Sequence, residues 1–201
     1  LVGAAYMLGV HNRLQSGSYK LPQKVSAWQI LQKLKKAESD TVTVQIIEGM
    51  RFAQMRRIIN QTADLKHDTA GWSDEKLLKE IDPEAGYTRA EGLFAPDSYE
   101  LDAGSSDLQL YKLAYRTMQK NLNQAWEERQ SGLPYKTPYE LLTMASIIEK
   151  ETAHENDRRH VAAVFVNRLN IGMRLQTDPT VIYGMGDAYN GRIRKADLRR
   201  D

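Results

Sequence analysis

Helical periodicity sets the tightest limit on what this chain can fold into. From Ser106 to Arg129, apolar residues recur at Leu110, Leu113, Ala114, Met118, Leu122, Ala125 and Trp126, the spacing of an amphipathic helix with one inward face. A second helical segment covers 139–153, entered through Thr137-Pro138 with threonine as cap and proline in the first turn. A third runs from Asp157 to Asn170, with Val161, Val164, Phe165 and Leu169 inward and Gly172 as its stop. Shorter helices are predicted after Ser26 (Ala27, Ile30, Leu31, Leu34), over 51–65 (Phe52, Met55, Ile58, Ile59) and from Asp74 to Ile81, capped by Ser73 and stopped by Asp82-Pro83. Strand signals are few. Residues 41–48 alternate β-branched and polar side chains, and the irregular stretch 91–101 holds a loop and a short strand. The fold class is therefore α+β, a mainly helical domain with a few short strands.

Composition narrows the chemistry. A net charge of +2 is too small to argue for nucleic acid. The absence of cysteine excludes disulfides, thiolate metal sites and a cysteine nucleophile. His154 and His160 lie six apart and no His-x-x-x-His pair occurs, so no metal is expected. No apolar run approaches the ~20 residues that span a bilayer. The chain opens on LVGAAYM and closes on KADLRRD. Both ends read as cuts, with an anchor expected upstream and further domain downstream. Residues 1–40 read as a small, partial unit (helix, short strand, helix) similar to the end of a LysM-like module, and 41–201 as the main domain, truncated at its C-terminus.

Two glutamates near the end of the 139–153 helix stand out. At ~100° per residue, Leu141, Leu142, Met144, Ala145 and Ile148 share one face and Lys150 points to solvent. Glu149 and Glu151 are two positions apart, diverge by ~200°, and cannot serve the same point. Glu151 follows Ile147 and Ile148 by one turn. A carboxyl against branched aliphatic side chains is partly desolvated, which suits a general acid. Glu149 stays open as the alternative. A Glu-Lys-Glu run at a helix end is most often a solvated edge. The segment Leu175–Thr180, LQTDPT, reads as a polar loop whose amide, hydroxyl and carboxylate groups suit hydrogen bonding to a sugar or peptide, or as an ordinary turn begun by Asp178-Pro179.

Four pieces together resemble the endolytic murein transglycosylase (MltG, YceG-like) family: IIEGM at 46–50, EGLFAPDSYEL at 91–101, MASIIEKETA at 144–153 and VFVNRLNIGMRLQTDPTVIYGMG at 164–186. The resemblance implies a bacterial lyase of the peptidoglycan lytic transglycosylase class, needing no cofactor. Its substrate would be the MurNAc–GlcNAc bond of glycan strands, and its product a 1,6-anhydro-MurNAc end. It implies Glu151 as catalytic acid, with Glu149 as the alternative, and a cleft lined by Glu48, Glu91, Asp97, Asn167, Gln176, Asp178 and Tyr183. It further implies a role in setting glycan length beside cell-wall synthases. A missing N-terminal helix would anchor the protein in the inner membrane, with the catalytic part facing the periplasm. A lysozyme-like hydrolase and a non-catalytic peptidoglycan-binding module are the competing readings.

Overall fold

The computed structural model describes residues 21–36 and 40–199, so most of the expected 1–40 module lies outside the described residues. Within them the elements run α1 (Ala27–Lys36), β1 (Thr41–Ile46), α2 (Phe52–Gln61), α3 (Asp74–Ile81), β2 (Asp97–Asp102), α4 (Asp107–Glu127), α5 (Pro138–Glu151), α6 (Glu155–Asn170) and α7 (Asp178–Met185), with two short 3-10 turns after α7. The mainly helical α+β class is what the periodicity predicts. The chain divides into two compact units, one of Leu1–Ile47, Phe52–Ala90 and Phe94–Tyr115, the other of Glu48–Arg51, Glu91–Leu93 and Arg116–Asp201.

In the first unit, β1 and β2 pair antiparallel, from Thr41 opposite Asp102 to Ile46 opposite Asp97. Alternation buries Val44 and Ile46 on β1 and Tyr99 on β2, as a sheet with one covered face requires. α2 buries Phe52, Met55 and Ile59. Phe52 stacks on Phe94 at 5.2 Å between ring centroids, and Tyr111 meets Phe94 edge-on at 5.5 Å, geometries favoured by the ring quadrupoles. α3 starts where the sequence predicts, because the Ser73 hydroxyl accepts from Lys76 N–H at 3.2 Å. At the head of α4 the buried Asp107 carboxylate accepts from Thr69 Oγ1 at 2.7 Å and from Thr69 N–H at 3.1 Å. That satisfies a buried charge and pins the loop before α3. Burial pushes the Tyr111 phenol up to about 12. Burial, with a hydrogen bond donated to Asp82 at 2.8 Å, pushes Tyr115 up as well.

The second unit holds the later turns of α4 together with α5, α6 and α7, and α5 packs on both α6 and α7. Several expectations need correction here. β1 ends at Ile46 and α2 at Gln61, where Thr62 turns its hydroxyl onto the Ile58 carbonyl at 2.9 Å. On α4, Leu113 is 44% exposed and Ala125 is exposed. On α5 only Met144 is buried, Ala145 is exposed, and the other apolar residues of the predicted face are half-buried. On α6 Phe165 is buried, whereas Val164 and Leu169 are exposed. An apolar stripe marks a helix face; it does not specify how much packs against it. The stretch read as a polar loop is also half helix: Asp178, Pro179 and Thr180 form the first turn of α7, since Thr-Asp-Pro supplies a cap and a proline suited to a helix start.

Candidate active site

α5 owes its position to its ends. Thr137 caps it, accepting from Glu140 N–H at 3.2 Å, and Glu140 reaches back to Lys136 N–H at 2.6 Å, a reciprocal arrangement of the capping-box kind. The helix closes at Glu151, where Thr152 N–H bonds to the Ile148 carbonyl at 3.2 Å. Glu149, Lys150 and Glu151 therefore occupy its last turn and face three different neighbours.

The Glu149 carboxylate pairs with the Arg158 guanidinium of α6 at 3.1 Å. Lys150, expected to be solvated, is exposed but donates from Nζ to the Gly49 carbonyl at 3.0 Å. This ties the 48–51 turn to α5. The turn depends on Gly49, whose φ is +73°, a left-handed conformation that glycine adopts without steric cost. Glu151 accepts a hydrogen bond at Oε2 from the Thr177 hydroxyl. The ~200° divergence read from helical phase is realised: the two glutamates serve different helices. Desolvation, expected to favour Glu151, does not separate them, because Glu151 is exposed and Glu149 is the more covered of the two, at 32% side-chain exposure. Glu151 is the final residue of the helix, so the aliphatic residues one turn back do not cover it.

Thr177 reaches Glu151 through a folded return. α6 ends in a Schellman turn: Met173 N–H bonds to the Arg168 carbonyl at 2.7 Å, Gly172 N–H to the Leu169 carbonyl at 3.1 Å, and Gly172 has φ +67°. The Arg168 guanidinium donates to the Leu175 carbonyl, holding the strap against its own helix. Gln176 follows at φ +51°, unusual for a residue with a side chain, and delivers Thr177 buried at 3% exposure.

The remaining predicted residues are distributed as follows. Glu48 is exposed in the turn held by Lys150, and Glu91 is half-buried beside the fully buried Leu93. Asp178 is exposed at the first position of α7. Tyr183, on the same helix, is 51% exposed, with the Arg51 guanidinium 5.7 Å from its ring centroid. Asn167 is exposed in the last turn of α6, and Gln176 is exposed on the strap. Asp97 belongs to the first unit, on β2, where its carboxylate accepts from Ser98 N–H at 2.7 Å. Side-chain contacts thus link the Glu48 turn, both glutamates and the helix bearing Asp178 and Tyr183. Sequence reasoning missed Arg158 and Thr177. The cap-and-proline signature of Thr177-Asp178-Pro179 marked a helix start; nothing local announced the partner of either residue. No group of three or more metal-ligating side chains occurs among the described residues.

The fold and this cluster define an α+β protein whose candidate site centres on a carboxyl group at a helix end. A sequence model of the YceG-like family matches residues 2–201. The chain belongs to the YceG-like family. An endolytic murein transglycosylase of Streptococcus pneumoniae is 30% identical over 200 residues, covering 86% of this chain and 36% of that protein. Another protein of that name from Bacillus subtilis is 28% identical over 209 residues, covering 93% of this chain and 56% of that protein. The chain thus spans between about a third and just over half of the curated relatives it matches. The crystal structure of a yceG-like protein from Listeria monocytogenes superposes with a TM-score of 0.59 at 25% identity, covering 98% of this chain and 70% of that one.

Proposed function

We propose that this chain carries the catalytic carboxyl of an endolytic peptidoglycan lytic transglycosylase, and that Glu151 is that group. One observation carries the choice: at the end of α5, Glu149 is held in an ion pair with Arg158, while Glu151 meets the neutral Thr177 hydroxyl and, among the described residues, no cation. An acid that must give and retake a proton is poorly served by a guanidinium that would have to be displaced. The names of the relatives support the reaction class.

The chemistry follows from one carboxyl. Protonated Glu151 gives its proton to the glycosidic oxygen between MurNAc and GlcNAc as that bond breaks. Positive charge develops at C1 of the muramic sugar. The carboxylate then takes the proton of that sugar's 6-hydroxyl, whose oxygen closes on C1 and leaves a 1,6-anhydro end. The nucleophile belongs to the substrate, so effective molarity replaces a bound water. No second carboxylate is required, unlike the usual glycosidase pair. In this reading Asp178 and Gln176 orient the N-acetyl group or stabilise developing charge.

Product mass from purified peptidoglycan tests this. An anhydro end is one water lighter than a reducing end, and a reducing end would mean a hydrolase using Glu91 or Asp178 as the second carboxylate, the third candidate, Asp97, lying in the other unit. No cutting by the full-length protein would leave a binding module. By family resemblance we also propose a LysM-like module over 1–40, and work at the inner membrane facing the periplasm beside cell-wall synthases. Recovery of the full-length protein in the cytoplasmic soluble fraction would count against that placement.

A further inference from the structure

We infer that Thr177 is a positioning residue for the acid–base carboxyl, an assignment that rests on Glu151 being that group. Thr177 does not cap its own helix in the usual way. Its backbone is at the N-cap of α7, φ −120° and ψ 128°, yet its side chain makes no cap hydrogen bond. An N-cap hydroxyl normally accepts from the N–H of the second or third helical residue. Here the second residue is Pro179, which has no N–H. The third, Thr180, bonds through its N–H to the Thr177 carbonyl at 3.3 Å. The sequence Thr-Asp-Pro-Thr therefore leaves the Thr177 hydroxyl without a capping duty.

The released hydroxyl finds a partner elsewhere. Thr177 is one of three buried polar or charged residues among those described, and buried polar groups find partners. Its hydroxyl donates to Glu151 Oε2, so a fixed, buried donor grips one oxygen of an exposed carboxyl. Oε1 remains for proton traffic. The arrangement suits both protonation states. With the proton on Oε1, Oε2 is the carbonyl oxygen and accepts; after the proton has passed to the leaving oxygen, Oε2 still accepts. When the 6-hydroxyl proton returns to Oε1, the Thr177 bond is again unchanged. Thr177 transfers no proton. It fixes the rotation of the carboxyl so that Oε1 is presented at each step, the kind of orientation that governs rates when reacting atoms must sit within a narrow geometry.

The test compares Thr177→Val, which keeps the shape and removes the donor, with Thr177→Ser, which keeps the donor, in the full chain acting on purified peptidoglycan. The valine variant is expected to lose about 10- to 100-fold in kcat, the range set by one hydrogen bond to a charged group, with KM within about twofold. The serine variant is expected within a few-fold of the parent. Parental kcat in the valine variant, or equal losses in valine and serine, would overturn the assignment. So would a loss confined to KM. Should valine fail to fold, as judged by its thermal transition, Thr177→Ala replaces it under the same criteria. Glu151→Gln is run alongside. If it cuts like the parent, the acid assignment itself has failed; if it is inactive while valine is parental, only the role of Thr177 has failed.

Discussion

Replacing each glutamate of α5 by glutamine should separate stability from chemistry. Glu149 and Arg158 form a pair at 3.1 Å with side chains 32% and 44% exposed. Partly exposed pairs of this kind contribute roughly 0.2–1 kcal/mol. In a protein of this size, 1 kcal/mol moves Tm by about 2–4 °C. Glu149→Gln is thus expected to lower Tm by about 1–3 °C and to leave cutting within a few-fold. Glu151→Gln should behave in the opposite way. The amide oxygen can still accept from Thr177, so Tm stays within about 1 °C, a bound drawn from the small energy of exposed substitutions. An amide cannot protonate a leaving oxygen, and loss of general acid–base catalysis costs about 10²–10⁴ in rate. Thermal unfolding, followed by release of soluble fragments from isolated sacculi, reads both quantities on the same preparations. If Glu149→Gln abolishes cutting while Glu151→Gln is harmless, the roles are reversed and the ion-pair argument is wrong.

Two further outcomes follow from features outside the glutamate pair. Gly49→Ala should cost about 1–2 kcal/mol in urea unfolding, the price of a left-handed alanine. The added Cβ itself would find ordinary contacts, 3.6 Å from Lys150 Cδ and 3.8 Å from Glu149 Cγ, so a neutral result would show that the turn relaxes freely. Tyr111 sets an alkaline limit: its phenol is pushed up to about 12 in the fold, against about 10 unfolded. Between those values the unfolded chain binds fewer protons, so this contribution is intact below pH 10 and is lost as pH rises towards 12, by about 1.4 kcal/mol at pH 11. Tyr111→Phe should remove that part of the slope; identical slopes in parent and variant would contradict it.

What the sequence made legible was local. Ser73 and Thr137-Pro138 announce helix starts because a cap acts within one turn. The divergence of Glu149 and Glu151 follows from 100° per residue and needs no knowledge of neighbours. α7 escaped because its apolar residues Val181, Ile182 and Tyr183 run consecutively and mark no single face, and Asp178-Pro179 begins a turn as readily as a helix. The exposure of Glu151 was not legible either, since it depends on what covers the end of α5. Arg158 and Thr177 become partners only once the chain has turned at residues 152–154 and again at Gly172. No spacing rule carries across two turns. Asp97 shows the reverse limit: it sits in a matching motif, yet folds into the other unit.

The Lys150–Gly49 bond has a bearing on how the molecule assembles. Glu151 and Thr177 are 26 residues apart, while Lys150 and Gly49 are 101 apart. Closing the longer loop costs about 1.2 kcal/mol more in chain entropy, from roughly 0.6 kcal/mol per doubling of length. Contacts of low sequence separation also form faster. The carboxyl–hydroxyl pair is therefore expected to organise first, within the helical stretch that encodes it, and the 48–51 turn to dock later onto that helix end. Order of formation would then run opposite to order of synthesis, which pulsed hydrogen exchange during refolding would read as later protection at the 48–51 turn.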